Sequence, residues 1–438
     1  MSDINSKINN TNQNADSRLP PPRFYRWLVL LCLSIAMLGI YYVLDCIAPI
    51  ADLLAKQLDF SDANIGLLQA VYSIPNIFMV LISGMAVDRI GTRKSIFLFG
   101  VMCLLGSIIT VLSRSLTIMA SGRLIFGLGA ESMIVAVTTT LARWFRGQEL
   151  SFASGVNLMV ARGGSWLAQN SPTWAKFAYN NWRHPLLISF GFSVLCVLAP
   201  ILYSKIEKYA KQKYLLGQIS QTKKIVFHDL FSFCKSYWYI VALCVVFYSA
   251  IFPFETFAIK YFIEAHHTSR ALGGFLVSIL TTLTMFGTPL FGLLADKFGH
   301  RCLLMMCGSV LIIPVYLMMA YTQIPLYIPM AMMGIAFSII PAVMWPAVSY
   351  VVEESKLGMA YGLMTMIQNM GLASFNLLVG WANDYARASA SNPDGYALGM
   401  WIFSSLGLFA FVFSYLLYKN ETSSNAHGLE TITVKSSR

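Results

Sequence analysis

The sequence predicts an all-α membrane protein of twelve transmembrane helices in two six-helix bundles. Three observations carry that prediction: a strongly apolar composition, twelve apolar runs long enough to cross a bilayer, and a loop motif that occurs twice at matching places. Of the 438 residues, 57% are apolar and 12% charged, where soluble domains carry about 25% charged residues. A hydrocarbon core of about 30 Å needs roughly 20 apolar residues per helical crossing. Twelve crossings with short turns use most of the chain, so little is left for a soluble domain.

The runs fall near 27–48, 65–87, 95–112, 117–141, 151–171 and 185–204, then near 237–261, 271–294, 302–321, 325–350, 358–381 and 396–418. The longest break between them, Lys205 to Ser236, is polar and Lys-rich, and it separates two groups of six. The expected organisation is therefore a disordered tail at 1–24, an N-terminal bundle at 25–204, a basic linker at 205–236, a C-terminal bundle at 237–418 and a second tail at 419–438. The first segment is polar, Asn-rich and closes on Pro20, Pro21 and Pro22, unlike a cleavable signal sequence.

The net charge of +11 does not point to nucleic acid, because the basic residues sit in short segments between apolar runs and not on one amphipathic face. They read as topology signals. With the amino terminus in the cytoplasm, 22 of the 31 Lys and Arg fall in cytoplasmic segments, seven lysines of the linker included. The positive-inside rule then places both termini in the cytoplasm. Eight Cys are scattered through or beside the apolar runs, with no C-x-x-C pair, and read as small buried hydrophobes. No ligand cluster for a metal, no nucleophile with a histidine partner and no phosphate-binding loop is visible, so neither a cofactor nor an enzyme is expected.

The two halves repeat. Gly84-Met85-Ala86-Val87-Asp88-Arg89-Ile90-Gly91-Thr92-Arg93-Lys94 follows the second run, and Gly292-Leu293-Leu294-Ala295-Asp296-Lys297-Phe298-Gly299-His300-Arg301 follows the eighth. A shared offset of 208 residues for Gly, Asp, Gly and Arg argues duplication. Glycine permits close helix approach and tight turns, and the acid can pair with arginine at a helix end. The pattern resembles the loop signature of the major facilitator superfamily, whose fold is two six-helix halves related by an axis along the membrane normal. The resemblance implies a latch in which Asp88, Arg89, Arg93, Asp296, Lys297 and Arg301 gate the cytoplasmic side; the alternative is a static turn that only sets orientation.

Other strings narrow the resemblance. They are Tyr72-Ser73-Ile74-Pro75-Asn76, Gly122-Arg123-Leu124-Ile125-Phe126-Gly127-Leu128-Gly129-Ala130-Glu131-Ser132 and Trp144-Phe145-Arg146-Gly147-Gln148-Glu149-Leu150 in the first half. In the second half they are Phe252-Pro253-Phe254, Trp345-Pro346, Gly358-Met359-Ala360-Tyr361-Gly362 and Ile367-Gln368-Asn369-Met370-Gly371. From about Arg26 to Asp384 the chain is similar to the family of the lysosomal dipeptide transporter called major facilitator superfamily domain-containing protein 1. It departs at Glu255, where that family leads us to expect an uncharged residue. An acidic dileucine signal is missing from the amino-terminal tail, and Asn-x-Ser/Thr sites fall only in segments placed in the cytoplasm. The expected address is a bacterial plasma (inner) membrane, or a lysosomal membrane if the source is eukaryotic.

A charged side chain at the bilayer centre costs at least ~2.5–3.5 kcal/mol on insertion scales, so each one needs a partner, a watery cavity or a function. Glu131 lies 10 residues before Leu141 and Arg162 lies 12 residues after Leu150, which is about 15 and 18 Å from the cytoplasmic turn at 1.5 Å per residue. Both belong near the midplane, where facilitators bind substrate. A carboxylate and a guanidinium there can hold the two ends of a zwitterion. The family resemblance implies the same roles for them, as binding residues for peptide termini. The competing reading is a structural ion pair between the fourth and fifth helices.

Asp45, late in the first run, reads either as a gate or attractor for a cationic substrate or as a plain helix end. Glu255 reads as vestibule or interfacial, as does Lys260. Arg123 matches a second superfamily signature or is a snorkelling external arginine. Asn76, Gln368, Asn369 and Asn376 can bind substrate or join helices, and Tyr41, Tyr42, Tyr72 and Trp345 can stack on cargo or simply pack. All six His fall in turns or tails, which argues against a buried histidine relay. The sequence-based expectation is a secondary transporter of dipeptides, cationic ones among the candidates, working by alternating access as a uniporter. The alternative is a facilitator carrying an amino acid, nucleoside or organic anion, with or without proton coupling. Its expected partners are a small solute and the lipid bilayer; nothing in the sequence assigns an accessory subunit.

Overall fold

The computed structural model describes residues 21–145, 149–214, 233–353, 356–423 and 426–431. Twelve long helices run through the described residues. In the first half they are α1 (Arg23–Asp45), α2 (Asp62–Ile90), α3 (Thr92–Leu112), α4 (Leu116–Trp144), α5 (Leu150–Gln169) and α6 (Arg183–Lys213). In the second half they are α7 (Lys235–His266), α8 (Arg270–Phe298), α9 (Arg301–Tyr321), α10 (Tyr327–Val351), α11 (Leu357–Tyr385) and α12 (Ala397–Glu421). Most of the expected tail at 1–24 and much of the linker at 205–236 lie outside the described residues. An even number of antiparallel crossings in each half brings residues 21 and 431 to one face, called here the terminal face.

Lipid offers the backbone no hydrogen-bond partners, so the chain crosses only where each N–H and C=O is satisfied within its own helix. Nine stretches among the described residues are long and apolar enough to do so by length and composition alone. Helices α2, α5 and α11 fall outside that set; polar residues dilute the last two, Ser165 and Gln169 in α5 and Gln368 and Asn376 in α11. They face the interior of the molecule, where those side chains are buried.

Most helices overrun the expected spans by a few residues, α6 the furthest. Helix α6 continues nine residues past 204 to Lys213, since Lys, Glu, Ala and Gln are good helix formers in water as well as in lipid. Beyond α12 the chain turns back: Leu429 is fully buried, and the Glu430 carboxylate accepts from the backbone N–H of Cys302 at 2.7 Å and of Leu303 at 3.3 Å. Those donors are orphans of the α9 N-terminus, where an anion is favoured.

The halves meet chiefly along α2 with α11 and along α5 with α8. At the face opposite the termini the approach is close enough to require glycine. A side-chain carbon on Gly380 of α11 would lie 2.5 Å from the Asp62 carbonyl of α2, and one on Gly66 would collide with the Asn376 carbonyl. At the terminal face the same helices stand apart: Gly84, Gly155, Gly292 and Gly358 have nothing within 4 Å of where a side chain would begin.

Candidate functional site

Between the halves lies a cavity of about 1010 Å³. Its rim includes Phe152 at the start of α5 and Pro289 and Pro346 towards the ends of α8 and α10, so it opens to the terminal face. Its inner end reaches Ala48, Gln169 and Asn376.

Beyond that end the halves are bolted together by buried charge. Lys260 of α7 pairs with Asp62 of α2 and lies 3.9 Å from Glu264. Asn383 donates to the second Asp62 oxygen at 3.0 Å, and the Tyr396 hydroxyl donates to Glu264 at 2.6 Å. Arg270 of the second half pairs with Asp52 of the first at 2.5 Å. Sequence reading missed this network, because each member sits near a helix end where charge is ordinarily solvated.

Glu131 and Arg162 both line the cavity. The Tyr72 hydroxyl donates to the Glu131 carboxylate at 3.0 Å, and Tyr72 itself lines the wall. The guanidinium of Arg162 lies over three rings: Tyr41 at 5.7 Å, Phe252 at 6.0 Å and Phe337 at 5.5 Å. The first comes from one half and the other two from the other, so both bundles hold the cation by its faces. Among the described residues no carboxylate lies within 4 Å of Arg162. The structural ion pair between α4 and α5 is therefore not formed.

Asp45 and Glu255 line the same chamber. Glu255 is therefore not vestibular or interfacial, and its oxygen accepts from Gln169 Nε2 at 3.2 Å. Arg123 is no snorkelling surface residue: it is 1% exposed, and it donates to the Val43 carbonyl at 2.9 Å and the Leu44 carbonyl at 3.1 Å. Those carbonyls end α1 where the chain breaks ahead of Pro49, so they lack helical donors. Arg123 also bonds Gln69 of α2 and thereby sets the position from which Asp45 projects.

Trp345, Gln368 and Asn369 line the wall. Trp345 donates to the Tyr248 hydroxyl at 2.9 Å and stacks on Tyr361. Two expected lining residues do not reach the cavity. Tyr42 is 1% exposed and stacked flat on Phe192 at 3.8 Å, because its neighbour Tyr41 takes the inward position and successive helix residues point about 100° apart. Asn76 is sealed from solvent and donates to Asn369 Oδ1 at 3.2 Å. It joins α2 to α11 and leaves the wall to Tyr72 and Ser73 one turn earlier.

The gating residues show an uneven picture. Arg301 is buried, 3.3 Å from Asp296 and bonded to the Tyr350 hydroxyl at 3.0 Å, all within the second half. Lys297 is exposed beside Phe298, and Arg89 is exposed. The side chain of Asp88 lies outside what the structure describes, as do Arg146, Gly147 and Gln148. In the first half the buried pair at this level is Arg143 with Glu207 at 3.4 Å, and Arg143 donates to Thr92 at 2.7 Å; Arg93 is half-buried.

Two six-helix halves enclosing a chamber of mainly apolar walls set with a few charged side chains, open to one side and bolted at the other, are the architecture of a membrane transporter. The chain belongs to the Major Facilitator Superfamily, whose model matches residues 29–261 and 255–435. Within it, the chain is similar to the lysosomal dipeptide transporter MFSD1 of Mus musculus, 30% identical over 382 residues, covering 83% of this chain and 82% of that one. The Homo sapiens transporter of the same name is 28% identical over 373 residues, covering 82% and 80%. Among solved structures, a bacterial homologue of the human lysosomal transporter Spinster, in an inward-facing and occupied conformation, matches with a TM-score of 0.71 at 16% identity, covering 91% of this chain and 98% of that one.

Proposed function

We propose that this protein moves dipeptides across a bacterial plasma membrane by alternating access, as a uniporter, with the terminal face in the cytoplasm. The observation that carries the proposal is the state of two opposite charges in one chamber. Arg162 is caged by rings and has no carboxylate partner among the described residues, while Glu131 is held by Tyr72 on another wall of the same cavity. A planar guanidinium binds a carboxylate through two parallel hydrogen bonds, and a carboxylate binds an ammonium. A dipeptide supplies both groups at a separation that its backbone sets. Similarity to transporters named for dipeptides supports the cargo class.

Flux into proteoliposomes tests the proposal. Charge-assisted hydrogen bonds contribute about 1.5–3 kcal/mol each. Arg162→Ala and Glu131→Gln are therefore expected to cut dipeptide uptake at sub-saturating substrate by about 10- to 100-fold. Uptake that survives both changes removes the assignment. A thermal-shift screen with free amino acids, nucleosides and organic anions separates the other cargoes, since a ligand stabilises the state it binds.

A further inference from the structure

A uniporter passes through a closed state twice in each cycle, once carrying cargo and once returning without it. Arg162 is the side chain for which the two passages differ most. On the loaded passage the cargo carboxylate pairs with it. On the return it depends on the protein alone, and among the described residues its guanidinium makes no ion pair and no hydrogen bond. Asp45 and Glu255 share the chamber and act on it only from beyond ion-pair distance. An uncompensated cation away from bulk water is costly. Glu131, at the other end of the site, has a donor of its own in the Tyr72 hydroxyl at 3.0 Å.

The rings around Arg162 offer it a different kind of partner. A ring face carries the negative part of the aromatic quadrupole, and its attraction for a cation grows as water leaves. The faces of Phe337, Tyr41 and Phe252 stand 5.5, 5.7 and 6.0 Å from the guanidinium. Their orientation is set by the fold. Phe337 is 1% exposed and meets Phe252 edge-on at 90° and Tyr248 at 81°. Tyr248 stacks on Phe252 at 5.6 Å and accepts from Trp345 at 2.9 Å. Tyr41 belongs to α1, Phe252 to α7 and Phe337 to α10, so the cage is assembled from both halves around a cation of the first.

We propose that Tyr41, Phe252 and Phe337 are positioning residues that stand in for the cargo carboxylate on Arg162 while the carrier returns empty. The inference rests on the uniport reading and adds the device that makes the unloaded passage feasible. A chamber that narrows between the halves draws the three faces closer to the cation as water leaves it, which is when their attraction is greatest. Cargo displaces that need, because a carboxylate then meets the edge of the guanidinium while the rings keep its faces.

Uptake of labelled Ala-Ala into proteoliposomes, unloaded or preloaded with saturating unlabelled Ala-Ala, tests the proposal. Net uptake into unloaded vesicles requires the empty carrier to return, whereas exchange against internal cargo does not. Phe337→Leu keeps an apolar side chain and removes the ring. It is expected to slow net uptake by about 5- to 30-fold and to leave exchange within about twofold of the wild type. Phe337→Tyr, which keeps the ring, is expected to retain net uptake, and Phe252→Leu repeats the test if Phe337→Leu does not fold. Loss in both modes alike, or in exchange alone, reduces the rings to packing and overturns the proposal. Net uptake that both leucine variants leave unchanged overturns it too, as does a tyrosine variant as slow as Phe337→Leu. A wild type that exchanges without net uptake removes uniport and the role of the rings, and leaves dipeptides as cargo. Ala-Ala that moves in neither mode removes the peptide reading itself.

Discussion

Lys260 of α7 and Asp62 of α2 form a buried ion pair between the two halves, with 7% and 2% of their side chains exposed. Asp62 also opens α2, and its backbone N–H and that of Ala63 each donate at 2.8 Å to the carboxylate of Asp384 on α11. The first turn of one half is thus capped by an acid from the other. Moving the halves apart here uncaps a helix and strands a buried charge in the same step, which gives the closed side of the molecule an all-or-none character.

Removing one partner of a buried pair typically costs about 3–5 kcal/mol, whereas removing both relieves the Asp62 site and leaves only Glu264 without its cation, still held by the Tyr396 hydroxyl. Lys260→Met is therefore expected to lower the melting temperature and to increase labelling of cysteines introduced on the face opposite the termini. The double variant Lys260→Met/Asp62→Asn should recover part of the thermal loss. A double variant as unstable as the single one counts against an ion pair as the cause.

The four open glycines of the terminal face make a different forecast. Gly84 and Gly292, related by the 208-residue offset, stand free, whereas Gly66 and Gly274, related by the same offset, are pressed against Asn376 and Gln169. If rocking exchanges the tight ends, Gly84→Leu and Gly292→Leu leave the melting temperature within a few degrees and stop net flux. Gly66→Leu instead destabilises the structure outright. Scanning calorimetry alongside uptake separates these outcomes.

Tyr72 aims Glu131 and does not supply charge of its own. Tyr72→Phe deletes one hydrogen bond, with a net worth of about 0.5–1.5 kcal/mol and up to about 3 kcal/mol when the partner is charged. A loss of about two- to twelvefold in apparent affinity is expected at the ordinary worth of the bond, smaller than that of Glu131→Gln. Binding measured on both variants checks the order.

Arg123 holds the frayed end of α1 through fixed, forked donors that an ammonium does not reproduce. Arg123→Lys is expected to lower stability and to weaken dipeptide binding, since the anchored carbonyls of Val43 and Leu44 fix the end of α1 at the cavity wall. Melting curves together with binding of a dipeptide give both readouts.

The sequence by itself determined the class of molecule, its twelve helices in two halves and the repeated loop motif, and it singled out Glu131 and Arg162 as charges within apolar runs. Each follows from quantities that are local along the chain: hydropathy per residue, helix rise and motif spacing. Only the tertiary structure decided which charges are satisfied by which. Asp62 and Lys260 are 198 residues apart, Asp384 caps a helix of the other half, and the Asn76 NH₂ donates to Asn369. Rotation about a helix axis settled the rest, putting Tyr41 on the wall and Tyr42 against Phe192. Partner choice and facing depend on how twelve helices pack, because a buried polar group takes whichever partner the fold delivers to it.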